Sequence, residues 1–228
     1  MKIVVLVKQV PDSTEITVDK VTGTLVRDGV PSIINPDDLA GLEAALELKD
    51  KDPSINVTVV SMGPPQAKGM LQETIARGAD EAYLLTDRRL GGADTCATSR
   101  TLAAALKKIG YDLIIAPEKV TVKKALEDEE QILTAKMPCV LTTLSGMNKP
   151  RYMNCNDIVD SFNNPVKIMT FDDLDLDQSV VGLAGSPTKV HATFTKDVSA
   201  ETQTYNMPAK ETAELIAKTL KEKQLITK

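Results

Sequence analysis

The stretch NVTVVSMGPPQAKGMLQETIARGADEAYLLT, residues 56–86, decides the fold class. Its β-branched run at 56–61 predicts a strand buried on both faces, residues 66–77 predict a helix with one apolar side, and residues 81–86 predict the next strand. Gly78 suits the end of that helix. Two strands joined by a helical crossover pair in parallel, so this stretch predicts one unit of a parallel sheet covered by helices.

The same alternation continues on both sides of this unit. Further strands are predicted at 2–7 and 112–116, and further helices at 36–49 and within LGGADTCATSRTLAAALKKIG, residues 90–110. Asn35 and Asp94 have side chains that cap the start of a helix, and Pro36 suits the first helical position. We therefore predict an α/β fold with a Rossmann-like, doubly wound, mostly parallel sheet.

The second half of the chain has a different pattern. The segments VTVKKAL, EEQILTAKM and PCVLTTLSGM predict antiparallel or edge strands, and a short strand is expected at 166–169. From residue 148 the chain is rich in Asn, Asp and Pro, and it closes with an amphipathic helix at 209–223. We predict a nucleotide-binding α/β domain at 1–147 and an extended arm at 148–228 that wraps a partner. A flexible tail is the alternative, which the apolar stripe of the last helix disfavours.

Composition excludes several classes of function. The chain has 228 residues, a net charge of −5, no Trp and 3% aromatic residues, so it offers neither the basic surface nor the stacking platform of a nucleic-acid-binding protein. The apolar run at 3–7 is too short for a signal sequence, and no apolar stretch reaches membrane-spanning length. Three widely spaced cysteines fit a reducing cytoplasm, and neither they nor the single His191 predict a metal site or a catalytic side chain.

Ligands of open parallel sheets bind at the carboxyl ends of the strands. The residues expected there are mostly small or amide-bearing and include glycines that allow close approach to the backbone. The expected helix starts at Asn35 and Asp94 add free N–H groups, and Thr95 and Thr98 add hydroxyls. This pattern favours a nucleotide cofactor over acyl or phosphoryl chemistry. The alternative is that these are ordinary loops and helix caps, with Met62 as core filler.

Five blocks of the sequence resemble the β subunit of electron-transfer flavoproteins. They are MKIVVLVKQVPDS, RDGVPSIINPDDLAGLEAALELKD, VTVVSMGPPQAKGMLQETIARGADEAYLLTDRRLGGADT, MPCVLTTLSGMNKPRYM and GLAGSPTKV. The GGADT and GSPTKV segments resemble the anaerobic, flavin-bifurcating branch of that family.

The resemblance implies a heterodimer with an α subunit and a bound FAD that takes a hydride from NADH. One electron would go to ferredoxin or flavodoxin, and the other, through an FAD of the α subunit, to a dehydrogenase of the acyl-CoA or lactate type. Some systems run in reverse. The implied cofactor contacts, together with Ala116 at the end of the fourth predicted strand, are Leu6, Val7, Lys8, Asn35, Pro36, Asp38, Met62, Gly63, Gly92, Asp94, Thr95 and Thr98.

Two segments depart from the family pattern. Ala116 runs directly into Pro117 and Glu118, where the family has a further loop and helix of about 30 residues, the size of a crossover. Either a protein with this apparent internal deletion near 116–118 anchors its nucleotide differently, or the chain omits a segment. Residues 154–160 replace a lysine-rich run, which indicates a different dehydrogenase partner. The second hypothesis is a structural or non-bifurcating subunit that binds only AMP, and a stand-alone nucleotide-binding signalling domain is a third.

Overall fold

A computed structural model describes residues 1–12, 31–112, 119–125, 130–136, 141–189, 204 and 206–223. Its α-helices are α1 (Pro36–Lys51), α2 (Ala67–Ala76), α3 (Thr95–Ile109), α4 (Cys155–Ser161) and α5 (Ala209–Glu222). Its strands are β1 (Lys2–Leu6), β2 (Gln9–Pro11), β3 (Ser32–Ile34), β4 (Asn56–Met62), β5 (Glu81–Leu85), β6 (Lys119–Ala125), β7 (Glu130–Lys136) and β8 (Lys167–Met169). The chain divides into two compact units, Met1–Thr193 and Phe194–Lys228.

The main sheet has the order β1-β4-β5-β8, and all three pairings are parallel. Helices α1 and α2 cover one face, where Leu42, Leu71 and Val59 belong to one buried cluster. Helix α3 and the segment 174–181 cover the other face, where Ala105, Leu174 and Val181 belong to a second cluster. The predicted Rossmann-like sheet with helices on both faces is confirmed.

The helix ends follow the capping chemistry expected from the sequence. The Asp37 N–H donates to Asn35 Oδ1 at 3.1 Å, and Pro36 is the first residue of α1. The Ala97 N–H donates to Asp94 Oδ1 at 3.0 Å, which makes Asp94 the N-cap of α3. Both caps satisfy N–H groups that have no partner within the helix.

The described second half differs from its prediction at two segments: residues 141–147, and the short helix α4, which was not predicted. Strands β6 and β7 form the expected antiparallel pair, and β8 confirms the strand expected near 166–169. The predicted strand segment PCVLTTLSGM is residues 138–147; its residues 141–147 contain no strand, and 138–140 lie outside the described residues. Polar groups of residues 141–147 bond to the first turn of α1 instead: Thr143 Oγ1 donates to the Asp37 carbonyl at 2.8 Å, and the Ser145 N–H donates to Asp37 Oδ1 at 2.7 Å.

Four expectations are not tested by the structure. The predicted strand at 112–116 lies outside the described residues from 113 onward, and so do Ala116 and the short connection that follows it. The predicted division after residue 147 stays a prediction.

The unit Phe194–Lys228 is described by α5, which confirms the expected amphipathic helix. Leu215 and Leu220 are half-buried, and Ile216 on the same helix is 54% exposed.

Candidate functional site

A cleft opens at the carboxyl ends of β1 and β4, beside the first two turns of α3. Its cavity volume is about 150 Å³. Eight residues line it: Leu6, Val7, Lys8, Asp38, Val60, Met62, Thr98 and Leu102. Six of them belong to the predicted cofactor-binding set; Val60 and Leu102 are additional. The sequence signal for Leu102 is its place on the inward stripe of α3, and Val60 belongs to the buried run of β4.

The cleft has an apolar wall and a polar rim. Leu6 is 41% exposed although it belongs to a strand of the main sheet, and Met62 is partly buried at the end of β4. The polar residues of the lining are Lys8, Asp38 and Thr98, which carry a cation, a carboxyl and a hydroxyl. An apolar wall with a few polar groups suits an aromatic ring whose edge carries hydrogen-bonding atoms.

Asp38 ties the first turn of α1 to the end of β1. Its Oδ2 accepts a hydrogen bond from the Lys8 N–H at 2.7 Å, and the Asn35 N–H donates to the Lys8 carbonyl at 2.9 Å. Burial raises the pKa of Asp38, and the bond from Lys8 opposes that rise in part. Asn35 and Pro36 thus begin α1 next to the cleft, but neither belongs to its lining.

The amino end of α3 is held by a loop from the second half of the chain, residues 182–188. The Asp94 N–H donates to Ser186 Oγ at 2.8 Å. Asp94 Oδ2 accepts from the N–H of Thr188 at 3.0 Å and from its hydroxyl at 2.7 Å. The N–H of Ala97 and the two donors of Thr188 lower the pKa of Asp94. Ser186 and Thr188 are functional candidates absent from the predicted set, because 92 and 94 positions separate them from Asp94 in sequence.

The remaining predicted residues that the structure describes do not belong to the lining of the cleft. Gly63 follows β4 directly, and its N–H donates to the Leu85 carbonyl at 3.0 Å. Gly92 has φ +72°, and a Cβ there would lie 3.2 Å from Leu183 Cβ. Thr95 is exposed at the first position of α3.

The size of the cleft limits what it can enclose. At about 150 Å³ it is smaller than the roughly 300–1,000 Å³ of pockets that bury a drug-sized ligand. It therefore fits one ring system of a nucleotide, and the rest of a dinucleotide would extend past the lining. Among the described residues, no group of three or more side chains is arranged to bind a metal ion.

Comparisons with known proteins agree with this architecture. The electron transfer flavoprotein domain family matches residues 22–127. The electron transfer flavoprotein subunit beta of Clostridium acetobutylicum is 45% identical, in an alignment that covers 99% of this chain and 100% of the relative. This chain belongs to the electron transfer flavoprotein β-subunit family.

Two further members of the β-subunit family are named as parts of larger enzymes. The caffeyl-CoA reductase-Etf complex subunit CarD of Acetobacterium woodii is 42% identical over 85% of this chain and 87% of the relative. The acryloyl-CoA reductase electron transfer subunit gamma of Anaerotignum propionicum is 35% identical over 86% of this chain and 88% of the relative.

The alignment with the clostridial β subunit contains gaps. It extends over 260 positions, 32 more than the 228 residues of this chain. The shortened connection expected near 116–118 is of that size and stays a prediction. Within the part of the chain that is described, no helix has the length and apolarity needed to cross a bilayer.

Proposed function

We propose that this chain binds FAD in the cleft and transfers electrons as the β subunit of a heterodimer. NAD(H), ferredoxin or flavodoxin, and an FAD of the α subunit are its proposed redox partners, in flavin-based bifurcation or confurcation. The α-subunit FAD would serve a dehydrogenase of the acyl-CoA or lactate type. The proposed compartment is the cytoplasm.

The observation that carries this proposal is the convergence of six predicted residues on one cleft. Leu6, Val7 and Met62 would pack against a ring of the cofactor, and the Thr98 hydroxyl would donate to or accept from its edge. Lys8 would place a positive charge beside electron-rich atoms. FAD supplies the hydride and one-electron chemistry when it is bound, and the protein supplies position and electrostatics.

The names of the relatives support the proposed partners. One is part of a caffeyl-CoA reductase-Etf complex, and another is an electron transfer subunit of acryloyl-CoA reductase. A dehydrogenase acting on an acyl-CoA is therefore the first partner to test. The surface we propose for it carries Tyr152, Val159 and Phe162, which are 94%, 66% and 72% exposed. Exposed aromatic and branched side chains in one short segment are typical of an interaction site.

The alternative is a β subunit that binds only AMP and stabilises the heterodimer through preferential binding to the folded state. The small volume of the cleft favours this alternative, because the cleft fits one ring system. Both proposals use the same lining residues, so they differ in the identity of the ligand.

The deciding experiment is a count of nucleotides released from the purified heterodimer. We expect two FAD per heterodimer and bleaching of one flavin on anaerobic titration with NADH. One FAD with one AMP, and no response to NADH, would establish the alternative.

Two neighbouring residues of α3 give a matched pair of variants. Thr98 lines the cleft, whereas Ser99 is exposed and its hydroxyl donates to the Cys96 carbonyl at 2.8 Å. We expect Thr98→Ala to weaken binding of the nucleotide by about tenfold, as for a lost hydrogen bond, and Ser99→Ala to leave it unchanged. Equal effects of the two variants would argue against the cleft as the binding site.

A further inference from the structure

We propose that Ser186 and Thr188 are positioning residues for the nucleotide site, because they fix the amino end of α3 and, through it, the Thr98 side chain. This inference rests on the proposed function, since it concerns the same cleft. It gives the 182–188 loop a role toward a site whose lining contains none of its residues.

Asp94 is the link between this loop and α3. Its Oδ1 accepts from the Ala97 N–H, and its Oδ2 accepts both donors of Thr188. A carboxylate accepts about four hydrogen bonds, and three of the positions of this one are filled within the chain. Asp94 therefore connects two parts of the protein and has little capacity left for a ligand.

The 182–188 loop is itself fixed in place. Ser186 is 8% exposed, and its hydroxyl donates to the Gly182 carbonyl at 2.8 Å while it accepts from Asp94. The Leu183 N–H donates to the Gly91 carbonyl at 3.0 Å. Gly182 has φ +57°, and a Cβ there would come within 2.0 Å of the Arg89 carbonyl oxygen. The loop is thus anchored both to residues 89–92 and to Asp94.

The position of Asp94 determines that of Thr98. The Thr98 N–H donates to the Asp94 carbonyl at 2.9 Å, which is the first hydrogen bond of α3. Thr98 lines the cleft one turn further along the helix. Loss of the bonds that Asp94 makes with Ser186 and Thr188 would release the first turn of α3 and displace Thr98 from the cleft.

The test uses the full chain in complex with its α subunit, with and without added FAD. The variants are Thr188→Val, which keeps the shape and removes the hydroxyl, Thr188→Ser, which restores it, and Ser186→Ala. The control is Thr74→Val: Thr74 is buried on α2, and its hydroxyl donates to the Leu71 carbonyl at 2.7 Å. Two quantities are measured, amide hydrogen exchange at residues 95–98 in the nucleotide-free complex and the Kd for FAD.

We expect Thr188→Val and Ser186→Ala to speed exchange at residues 95–98 and to weaken FAD binding, each by about tenfold, and Thr188→Ser to stay within about twofold of the parent. Thr74→Val should lower Tm and leave both quantities unchanged. If amide exchange at residues 95–98 were equally fast in Thr188→Val and Thr74→Val, the positioning role would be overturned. It would also be overturned if Thr188→Ser did not return the exchange rate to that of the parent. The exchange measurement needs no nucleotide, so it judges this inference even if the parent complex binds no FAD at the cleft and the proposed function fails.

Discussion

In residues 56–85, the side chains that hold the fold are mainly apolar and fully buried, whereas residues 141–189 add to buried side chains such as Val181 a set of polar ones that bond to other elements. Val57, Val59, Leu71 and Leu84 are each 0% exposed. In the later region, Asn148 Nδ2 donates to the Ala40 carbonyl at 2.9 Å, and Asn164 Nδ2 donates to the Asp80 carbonyl at 2.6 Å. The first region is fixed mainly by burial, which has no preferred direction, and the second also by individual bonds, which do have one.

This difference bears on the site, because each region contributes one part of it. The lining of the cleft comes from β1, β4 and the helices, and the anchoring of α3 comes from residues 182–188. Exchange of one apolar side chain for another of similar volume is tolerated in a packed core. A directional bond is kept only by substitutions that retain its donor or acceptor. Differences between members of this family in residues 141–189 are therefore expected to change the site more than conservative changes in the core.

The largest effect should come from the core. Leu71→Ala removes a fully buried side chain from the cluster between α2 and the sheet, so we expect the free energy of unfolding to fall by about 2–5 kcal/mol. Chemical denaturation of the full chain measures this loss. The control is Leu144→Ala, since Leu144 is 64% exposed and should change stability by less than about 0.5 kcal/mol. Similar losses for the two variants would mean that the core is not where the structure puts it.

The second effect tests the close contact of the 182–188 loop. Gly182→Ala adds a Cβ where the Arg89 carbonyl leaves no room and the backbone is left-handed, so we expect a loss of about 2 kcal/mol or more. Gly69→Ala is the matched control, because Gly69 lies inside α2 with nothing within 4 Å of the added carbon. There the change should stabilise the protein by about 0.5–1 kcal/mol. Thermal unfolding of both variants checks the opposite signs, and a stable Gly182→Ala protein would contradict the described contact.

Most of the α/β region could be predicted from the sequence, because its signals are local. The apolar run of β4, the periodic helix α2 and the caps at Asn35 and Asp94 each depend on residues within one turn or one strand. The cleft followed from the rule that ligands bind at the carboxyl ends of parallel strands. Six of its eight lining residues were predicted on that basis and on the family resemblance.

The region of residues 141–189 could not be predicted to the same extent. The strand expected within 138–147 is not formed over 141–147, because Thr143 and Ser145 bond to the first turn of α1, 106 and 108 positions away in sequence. The roles of Ser186 and Thr188 could not be predicted for the same reason, since both bond to Asp94, which is distant in sequence. No periodicity in the sequence reports a side chain whose partner is a single distant backbone or carboxylate atom.

The smallest effect concerns pH and the contact between the ends of β5 and β8. Asp87 accepts from the Arg89 guanidinium at 2.7 Å and from the Phe171 N–H at 3.2 Å, and the Arg89 guanidinium also bonds to Asp172 and lies 4.4 Å from the Phe171 ring centre. These bonds, those from Arg89 first, hold the pKa of Asp87 well below its usual range. The charged form is therefore favoured by folding, so Asp87 stabilises the protein above the usual Asp pKa of about 3.9 and loses that effect as pH falls further. We expect Asp87→Asn to destabilise the protein at pH 7, and the difference from the parent to shrink on acidification.

Asp38 serves as a control, because its contribution to stability should change with pH in the opposite direction. Burial raises its pKa, so folding favours its protonated form, and Asp38 stabilises the protein more as pH falls through its raised folded value toward the usual one. Urea unfolding of Asp87→Asn and Asp38→Asn between about pH 3 and pH 7 should therefore give differences from the parent that change with pH in opposite directions. Slopes of the same sign would show that one of the two carboxyl groups does not have the surroundings described, and a flat profile for Asp87→Asn would remove the contact that joins β8 to the loop before α3.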